Sequence, residues 1–194
     1  MPRGLARDHA AKRDAIRHGA AAHFAALGYD RASMASVATA CGVSKALIYH
    51  YYDSKEALLV DILQDHLSRL LDAILEAGQD GTAKERLRDT IRAILLQYED
   101  ADDAHMVQLD ALDTLPEAMR QPLVAMMREM VSQLGERLDA ASPEGLGDRR
   151  RAITMSVFGM LNWFYTWHRP GRWPGREDYA DLVTDLVAGG LGGL

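Results

Sequence analysis

Cysteine is almost absent from this chain of 194 residues, in which Cys41 is the single example. One cysteine cannot form a disulfide within the chain or supply a cysteine-based metal site. Proline is also scarce, with six residues, and aromatic side chains make up 7% of the sequence. No useful stretch alternates strictly between polar and apolar residues, as a half-buried strand would. The composition is rich in Ala, Leu, Met, Glu, Asp and Arg and therefore predicts an all-α protein.

Long hydrophobic segments are lacking as well. The longest stretch without a charge spans residues 152–167, contains Thr, Ser, Asn and Tyr, and is too short to cross a bilayer comfortably. The first residues are charged and no apolar run follows them, so no signal peptide is visible. We therefore expect a soluble, cytoplasmic protein that does not contact a membrane.

The net charge of −6 is unevenly distributed along the chain. Residues 1–55 contain eight Lys and Arg against four Asp and Glu, whereas residues 56–194 contain 14 against 24. A basic N-terminal segment on an acidic body is typical of a protein that touches phosphate groups with one end. An ordinary solvated surface would also tolerate four surplus charges, so the charge pattern alone does not decide whether this segment contacts phosphate groups.

The most informative segment, residues 33–58, predicts two short helices joined by a glycine-centred turn and the start of a third helix. Ser33 and Ser44 are suitable N-caps for the two short helices, and Gly42 permits the tight turn between them. This is the pattern of a helix-turn-helix, which presents its second helix to the major groove of DNA. The two helices are predicted over residues 34–41 and 45–52.

Around the second helix, we expect Val43 and Leu47 to point into the core, with Ile48 beside them, and the other side chains to face outward. Short or polar side chains suit base edges, whereas Tyr, His and Lys suit phosphates. Groups at the start of the first helix can hold a further phosphate, and Lys55 can meet the DNA backbone again. The predicted DNA-contact residues are Ser33, Ser36, Ser44, Lys45, Ala46, Leu47, Tyr49, His50 and Lys55.

Residues 42–58, with the sequence GVSKALIYHYYDSKEAL, resemble the signature of TetR-type transcriptional regulators. Residues 24–38 resemble the end of the first helix and the second helix of the same family, and Tyr52 stands where Phe is common. The resemblance implies about nine helices, an N-terminal DNA-binding module, a C-terminal module for ligand binding and dimerisation, and repression that a ligand relieves. We place these modules at residues 1–54 and 55–194.

Two C-terminal segments, residues 162–171 and 178–182, resemble a TetR subgroup that responds to acyl-CoA thioesters. Arg172, Trp173 and Pro174 depart from the usual pattern of that subgroup. The resemblance implies an acyl-CoA thioester as one possible effector.

A helix predicted over residues 149–168 is apolar nearly all round, which is typical of a helix buried on several sides. One face can meet the core, a second a partner subunit in an isologous homodimer, and a third a ligand cavity. Methionines adapt to varied apolar ligands, although ordinary core packing is the alternative for each one. Asn162, an amide among aromatic residues, needs a polar partner from the protein or from a ligand. The predicted ligand-contact residues are Met126, Met130, Phe158, Asn162, Trp163 and Tyr165.

Catalytic and metal-binding patterns are lacking. No nucleophile elbow or phosphate-binding loop is present, and His9, His18 and His23 do not share one helical face. We therefore expect no metal, no cofactor and no enzymatic activity, and we interpret the chain as a repressor that leaves its operator on binding a small apolar or acyl-CoA effector. An activator or ligand-independent regulator of the same fold, a helical-bundle enzyme and a helical module that binds protein remain open as alternatives.

Overall fold

The structure is a computed structural model that describes the backbone of residues 3–99 and 101–191, and the side chains within those ranges from His9 onward. This part of the chain contains α-helices and no β-strand, so the prediction of an all-α protein is confirmed. Short 3₁₀ turns at Leu112–Thr114 and Gly147–Arg149 lie before the seventh and eighth helices. The helices are α1 (Arg3–Leu27), α2 (Met34–Ala40), α3 (Lys45–Tyr51), α4 (Lys55–Glu76), α5 (Ala83–Glu99), α6 (Asp102–Ala111), α7 (Glu117–Ala141), α8 (Arg150–Asn162), α9 (Phe164–Trp167) and α10 (Arg176–Leu191).

Serine side chains determine where three consecutive helices begin. Ser33 caps α2 and Ser44 caps α3, so both of these predictions are confirmed. The Ser54 hydroxyl oxygen accepts the N–H of Ala57 at 3.0 Å and caps α4 in the same way. A serine in extended backbone conformation can satisfy an N–H group of the first turn that has no partner within the helix.

The single helix predicted over residues 149–168 is wrong, because the chain turns at Trp163. Trp163 has φ −91° and ψ −7°, and its N–H is shared between the carbonyls of Gly159 and Leu161. The N–H and the hydroxyl of Thr166 both donate to the Trp163 carbonyl, at 3.1 and 2.7 Å. These short-range bonds replace the regular helical pattern and separate α8 from α9.

The chain folds as two compact units, and both are discontinuous in sequence. Unit 1 consists of Met1–His66 and Ala101–Leu123, and unit 2 consists of Leu67–Asp100 and Val124–Leu194. In unit 1, α6 packs on α1. The N-terminal helices therefore share a core with a segment that lies far along the sequence.

In unit 2, α10 packs along α5. The charged edge of this contact joins Arg88 and Arg92 of α5 to Asp181 of α10, each at 3.3 Å, and Arg88 also to Asp185 at 3.1 Å. Ile91, Ile94 and Leu95 of α5 and Val183 of α10 are fully buried. This apolar packing holds the pair together, because partly exposed ion pairs contribute little to stability.

Candidate nucleic-acid interface and ligand groove

Backbone hydrogen bonds close the turn between α2 and α3. Gly42 has a φ of +64°, and the N–H groups of Gly42 and Val43 donate to the carbonyls of Thr39 and Ala38 at 3.1 and 2.9 Å. This Schellman arrangement satisfies the last carbonyls of α2 and requires a left-handed residue, for which glycine is favoured. The turn therefore fixes the direction in which α3 leaves α2.

The short helix α3 has one fully buried side chain and a broad exposed face. Ile48 is 0% exposed, whereas Val43 and Leu47 are only half-buried. Val43 and Leu47 are therefore covered only in part, and Ile48 is the side chain of α3 that its neighbours cover completely. The side chains predicted to face outward do so, and they are Lys45, Ala46, Tyr49 and His50.

A histidine of α1 joins the exposed end of α3. The centroid of the His9 ring lies 4.5 Å from that of Tyr51 and 6.1 Å from that of His50. The rings of His50 and Tyr51 lie 5.4 Å apart. Sequence reasoning missed His9 because its position beside α3 depends on tertiary packing. This contact places a second imidazole next to His50.

Ser36 begins α2 as expected, but its hydroxyl is already fully hydrogen-bonded. The oxygen donates to the Ser33 carbonyl at 2.9 Å and accepts from the Ser33 N–H at 3.0 Å, and it lies at hydrogen-bond distance, 3.0 Å, from His23 Nε2. A hydroxyl has one proton to donate, and the Ser33 carbonyl accepts it here, so no donor is left for the oxygens of a phosphate. The Ser33 hydroxyl accepts the Ser36 N–H at 3.1 Å and keeps its own O–H to donate.

The ammonium group of Lys55 is bound to the connection between α1 and α2. It donates to the carbonyls of Tyr29 and Ala32 at 2.9 and 3.1 Å and lies 4.1 Å from the centroid of the Tyr29 ring. Burial raises the pKa of Tyr29 to about 12, and the charges of Glu56 and Asp30 act in the same direction. Lys55 thus stabilises this connection, and one of its three N–H donors remains for a phosphate.

Asp61 of α4 joins α1 to the end of α3. Its carboxylate accepts two hydrogen bonds from the Arg13 guanidinium, at 2.6 and 3.2 Å, and one from the Tyr52 hydroxyl at 2.6 Å. Burial of Tyr52, followed by its bond to Asp61, raises the pKa of the phenol well above its usual range. Arg17 extends the network to Asp65 at 3.0 Å. These charge-assisted bonds position the helix-turn-helix on α4.

Two buried histidines lie between α4 and α6 within unit 1. His66 is 5% exposed and His105 is 1% exposed, with their ring centroids 5.7 Å apart. Burial lowers the pKa of His66 to about 4, although a hydrogen bond with Gln108 acts in the opposite direction. The imidazole is therefore neutral at physiological pH, and sequence reasoning did not single it out.

The residues predicted to contact a ligand differ widely in burial and in their partners. Asn162 Oδ1 accepts a hydrogen bond from the Tyr98 hydroxyl at 2.9 Å, so the protein itself supplies the polar partner that this amide requires. Trp163 is 63% exposed, whereas Met130 and Phe158 belong to the buried core. The remaining two predicted residues are half-buried, and they are Met126 and Tyr165.

A groove of about 640 Å³ lies between α7 and α8 within unit 2. Its apolar walls come from Val124, Met127, Val131 and Met155. None of the predicted ligand residues lines it. Sequence reasoning missed the groove because it arises where two helices distant in sequence pack together. The other lining residues are Arg128, Ser132, Gly135, Arg150, Arg151 and Thr154.

The outer faces of α8 and α10 carry exposed apolar side chains. Leu182 and Leu186 of α10 are 47% and 63% exposed, and Trp163 at the end of α8 is likewise exposed. Along α8, the exposed positions include Ala152, Ser156 and Gly159. A Cβ atom added at Gly159 would meet nothing within 4 Å, so a second helix could approach this backbone closely.

The part of the chain that the structure describes contains neither a cluster of metal ligands nor a membrane-spanning helix. Within residues 3–99 and 101–191, no three His, Cys, Asp or Glu side chains come together as a metal ion would require. No helix in these ranges combines the length and the apolar character needed to cross a bilayer.

A helix-turn-helix with a capped, outward-facing second helix, set in a basic N-terminal segment and followed by an all-α C-terminal part, defines a DNA-binding transcriptional regulator. The family of bacterial regulatory proteins of the tetR type matches residues 16–62, and the tetracyclin repressor-like C-terminal domain matches residues 80–191. The chain therefore belongs to the TetR family, and the resemblance seen in its sequence is confirmed. The finer resemblance to the acyl-CoA-responsive subgroup stays a prediction.

Relatives with solved structures share the fold over nearly the whole chain. A TetR-family regulator from Bordetella parapertussis is 35% identical, with 90% of this chain and 93% of that chain covered and a TM-score of 0.85. AibR, solved in complex with isovaleryl coenzyme A and operator DNA, is 27% identical, with 90% and 97% covered and a TM-score of 0.76.

A curated relative matches less than half of the chain. An HTH-type transcriptional repressor of Mycobacterium tuberculosis is 32% identical over 88 residues, which are 45% of this chain and 46% of the repressor. The chain thus spans about half the length of the curated relatives that it matches. These relatives are transcriptional regulators.

Proposed function

We propose that the protein is a transcriptional repressor that binds operator DNA as a homodimer and leaves it on binding a small apolar or acyl-CoA effector. The observation that carries this proposal is the exposed face of α3, where Lys45, Ala46, Tyr49 and His50 lie together on a helix fixed by Ser44 and Gly42. In this role the protein binds and releases ligands in the cytoplasm and catalyses no reaction.

The exposed face of α3 offers two kinds of contact. Ala46 is small enough to let the helix approach base edges, whereas Tyr49, His50 and Lys45 carry groups that bind phosphates or bases. The ammonium of Lys45 lies 5.9 Å from the centroid of the Tyr49 ring, so the two side chains extend in the same direction. Ser33, Ser44, Leu47 and Lys55 would lie at the edge of this contact.

Dimerisation would use the outer faces of α8 and α10. An isologous dimer presents two copies of α3, as a pseudopalindromic operator with two half-sites requires. The exposed Leu182 and Leu186 supply apolar area, and Gly159 permits close helix approach. Leu186→Arg should turn the dimer into a monomer in sedimentation velocity experiments, whereas the exposed Leu75→Arg on α4 serves as the control.

The effector response is supported by the likeness to AibR, whose structure contains isovaleryl coenzyme A and operator DNA. Effector and operator must weaken each other's binding by the same factor if they favour different states of the dimer. Six residues are predicted from the sequence to contact the effector, and this assignment stays a prediction. They are Met126, Met130, Phe158, Asn162, Trp163 and Tyr165.

A gel-shift titration with DNA from upstream of the protein's own gene tests operator binding. Lys45→Ala should weaken binding and lower the salt dependence by about one phosphate contact, because each contact releases condensed counterions. Lys84→Ala removes the same charge from α5 in unit 2 and should leave affinity unchanged. Equal affinity of the two variants would contradict the assignment of α3 as the reading helix.

Adding isovaleryl-CoA or a longer acyl-CoA to the same titration tests the response. We expect loss of the shifted band with an acyl-CoA and not with free coenzyme A, and recovery of the thioester unchanged. Tighter operator binding would instead favour an activator or a co-repressed regulator, and consumption of the thioester would favour an enzyme.

A further inference from the structure

The groove between α7 and α8 contains three arginines whose charge is not neutralised by the protein. In the described ranges, no hydrogen bond or salt bridge engages the guanidinium groups of Arg128, Arg150 and Arg151, and all three residues are exposed. By contrast, Arg88 and Arg92, on another surface of the same unit, are paired with aspartates. Three unpaired guanidinium groups at one groove create a positive potential that favours an anion.

Apolar side chains line the groove together with these charges. Met127 and Val131 of α7 face Met155 of α8 across it. The two helices approach each other closely at Gly135, where an added Cβ atom would lie 3.1 Å from Thr154 Oγ1 and 3.6 Å from Arg150 Cγ. The volume of about 640 Å³ falls within the range typical of small-molecule sites.

We propose that this groove binds an amphiphilic anion, in which a carboxylate or phosphate group is joined to a short acyl chain. The arginines would hold the anionic group by charge-assisted hydrogen bonds, and the methionines would adapt to the chain. Binding of this anion at the groove does not depend on the proposed repressor function. An effect of the bound anion on operator affinity rests on that function. Fatty acids and acyl-CoA thioesters share this chemistry.

Isothermal titration calorimetry on the full-length protein distinguishes these ligands. The probes are octanoate, octanoyl-CoA, free coenzyme A and octanol, each measured at low and at high salt. We expect at least one of the two acylated anions to bind, with an affinity that falls as salt screens the arginines. Octanol, which has the chain without the charge, should bind at least tenfold more weakly. Equal affinity for octanol, or no binding of either anion, would overturn the proposal.

Paired arginine variants locate the bound anion. Arg128→Ala and Arg150→Ala should each weaken binding by about tenfold, as expected for the loss of a charge-assisted hydrogen bond. Arg172→Ala removes an exposed arginine elsewhere in unit 2 and is the matched control. Unchanged melting temperatures by circular dichroism would show that the variants are folded. Binding that resists both groove variants would overturn the proposed site.

The acyl chain is tested separately by Met155→Ser. This variant should weaken octanoate or octanoyl-CoA binding and leave binding of free coenzyme A unchanged, because only the apolar wall is altered. A parallel gel shift separates the two proposals. If the acylated anion binds the unaltered protein without releasing the operator, and the groove variants abolish that binding, the groove is supported as the binding site and the proposed effector response is contradicted. If the anion still releases the operator from the groove variants, the groove is contradicted as the binding site and the proposed effector response is supported.

Discussion

His66 is the side chain through which we expect mild acid to destabilise the protein. Its folded-state pKa of about 4 lies below the ordinary value of 6.5 because the imidazole is buried. The unfolded state therefore binds a proton that the folded state excludes once the pH falls below 6.5. The stabilisation is complete above pH 6.5 and declines as the pH falls toward 4. Between pH 7 and pH 5, this difference removes about 2 kcal/mol of the free energy of unfolding.

Urea unfolding followed by far-UV circular dichroism at pH 7 and pH 5 measures this loss. His66→Gln keeps a hydrogen-bonding side chain but cannot titrate, so its free energy of unfolding should fall less over the same interval, by about 2 kcal/mol. Carboxylates that titrate near pH 5 are common to both proteins and cancel in the comparison. Equal losses for the two proteins would show that His66 is protonated in the folded state, and the reasoning from burial would be refuted.

Three further predictions concern packing and hydrogen bonds in unit 1. Gly19→Ala should lower stability by about 1–3 kcal/mol, because its Cβ would lie 2.8 Å from Cys41 Sγ, and adding Cys41→Ala should restore most of the loss in thermal unfolding. Tyr52→Phe, which installs the residue common in the family, should cost about 1 kcal/mol through loss of the bond to Asp61, and this cost should vanish in an Asp61→Asn background. Lys55→Met should cost about 2 kcal/mol in urea unfolding, because it leaves two carbonyls of the α1–α2 connection without their charged donor; a loss of operator binding without that loss of stability would contradict the structural role.

Local signals in the sequence were enough to locate the helix-turn-helix. Ser33 and Ser44 act on N–H groups within three residues, and Gly42 acts on its own turn, so their roles can be predicted without tertiary structure. The exposed face of α3 follows from helical periodicity once those ends are known. Ile48 is more deeply buried than Val43 or Leu47, and this difference depends on tertiary contacts that helical periodicity alone does not predict.

Features that depend on contacts between residues distant in the chain could not be predicted from the sequence. Lys55 donates to the carbonyls of Tyr29 and Ala32, which lie 26 and 23 residues earlier in the chain. Asn162 found its partner in Tyr98, 64 residues away. The groove between α7 and α8 depends on how two helices pack, and their separate hydrophobic patterns do not encode an opening.

The discontinuity of unit 1 imposes an order of events during synthesis on the ribosome. α1 is synthesised before the helix that packs on it, α6, which belongs to Ala101–Leu123. The 57 residues from Leu67 to Leu123 take roughly 3–11 seconds to translate at about 5–20 residues per second. Throughout that interval, the surface of α1 that α6 covers in the folded protein stays exposed in the nascent chain. Chaperone access during these seconds, as much as final stability, would then govern how much active protein a cell obtains.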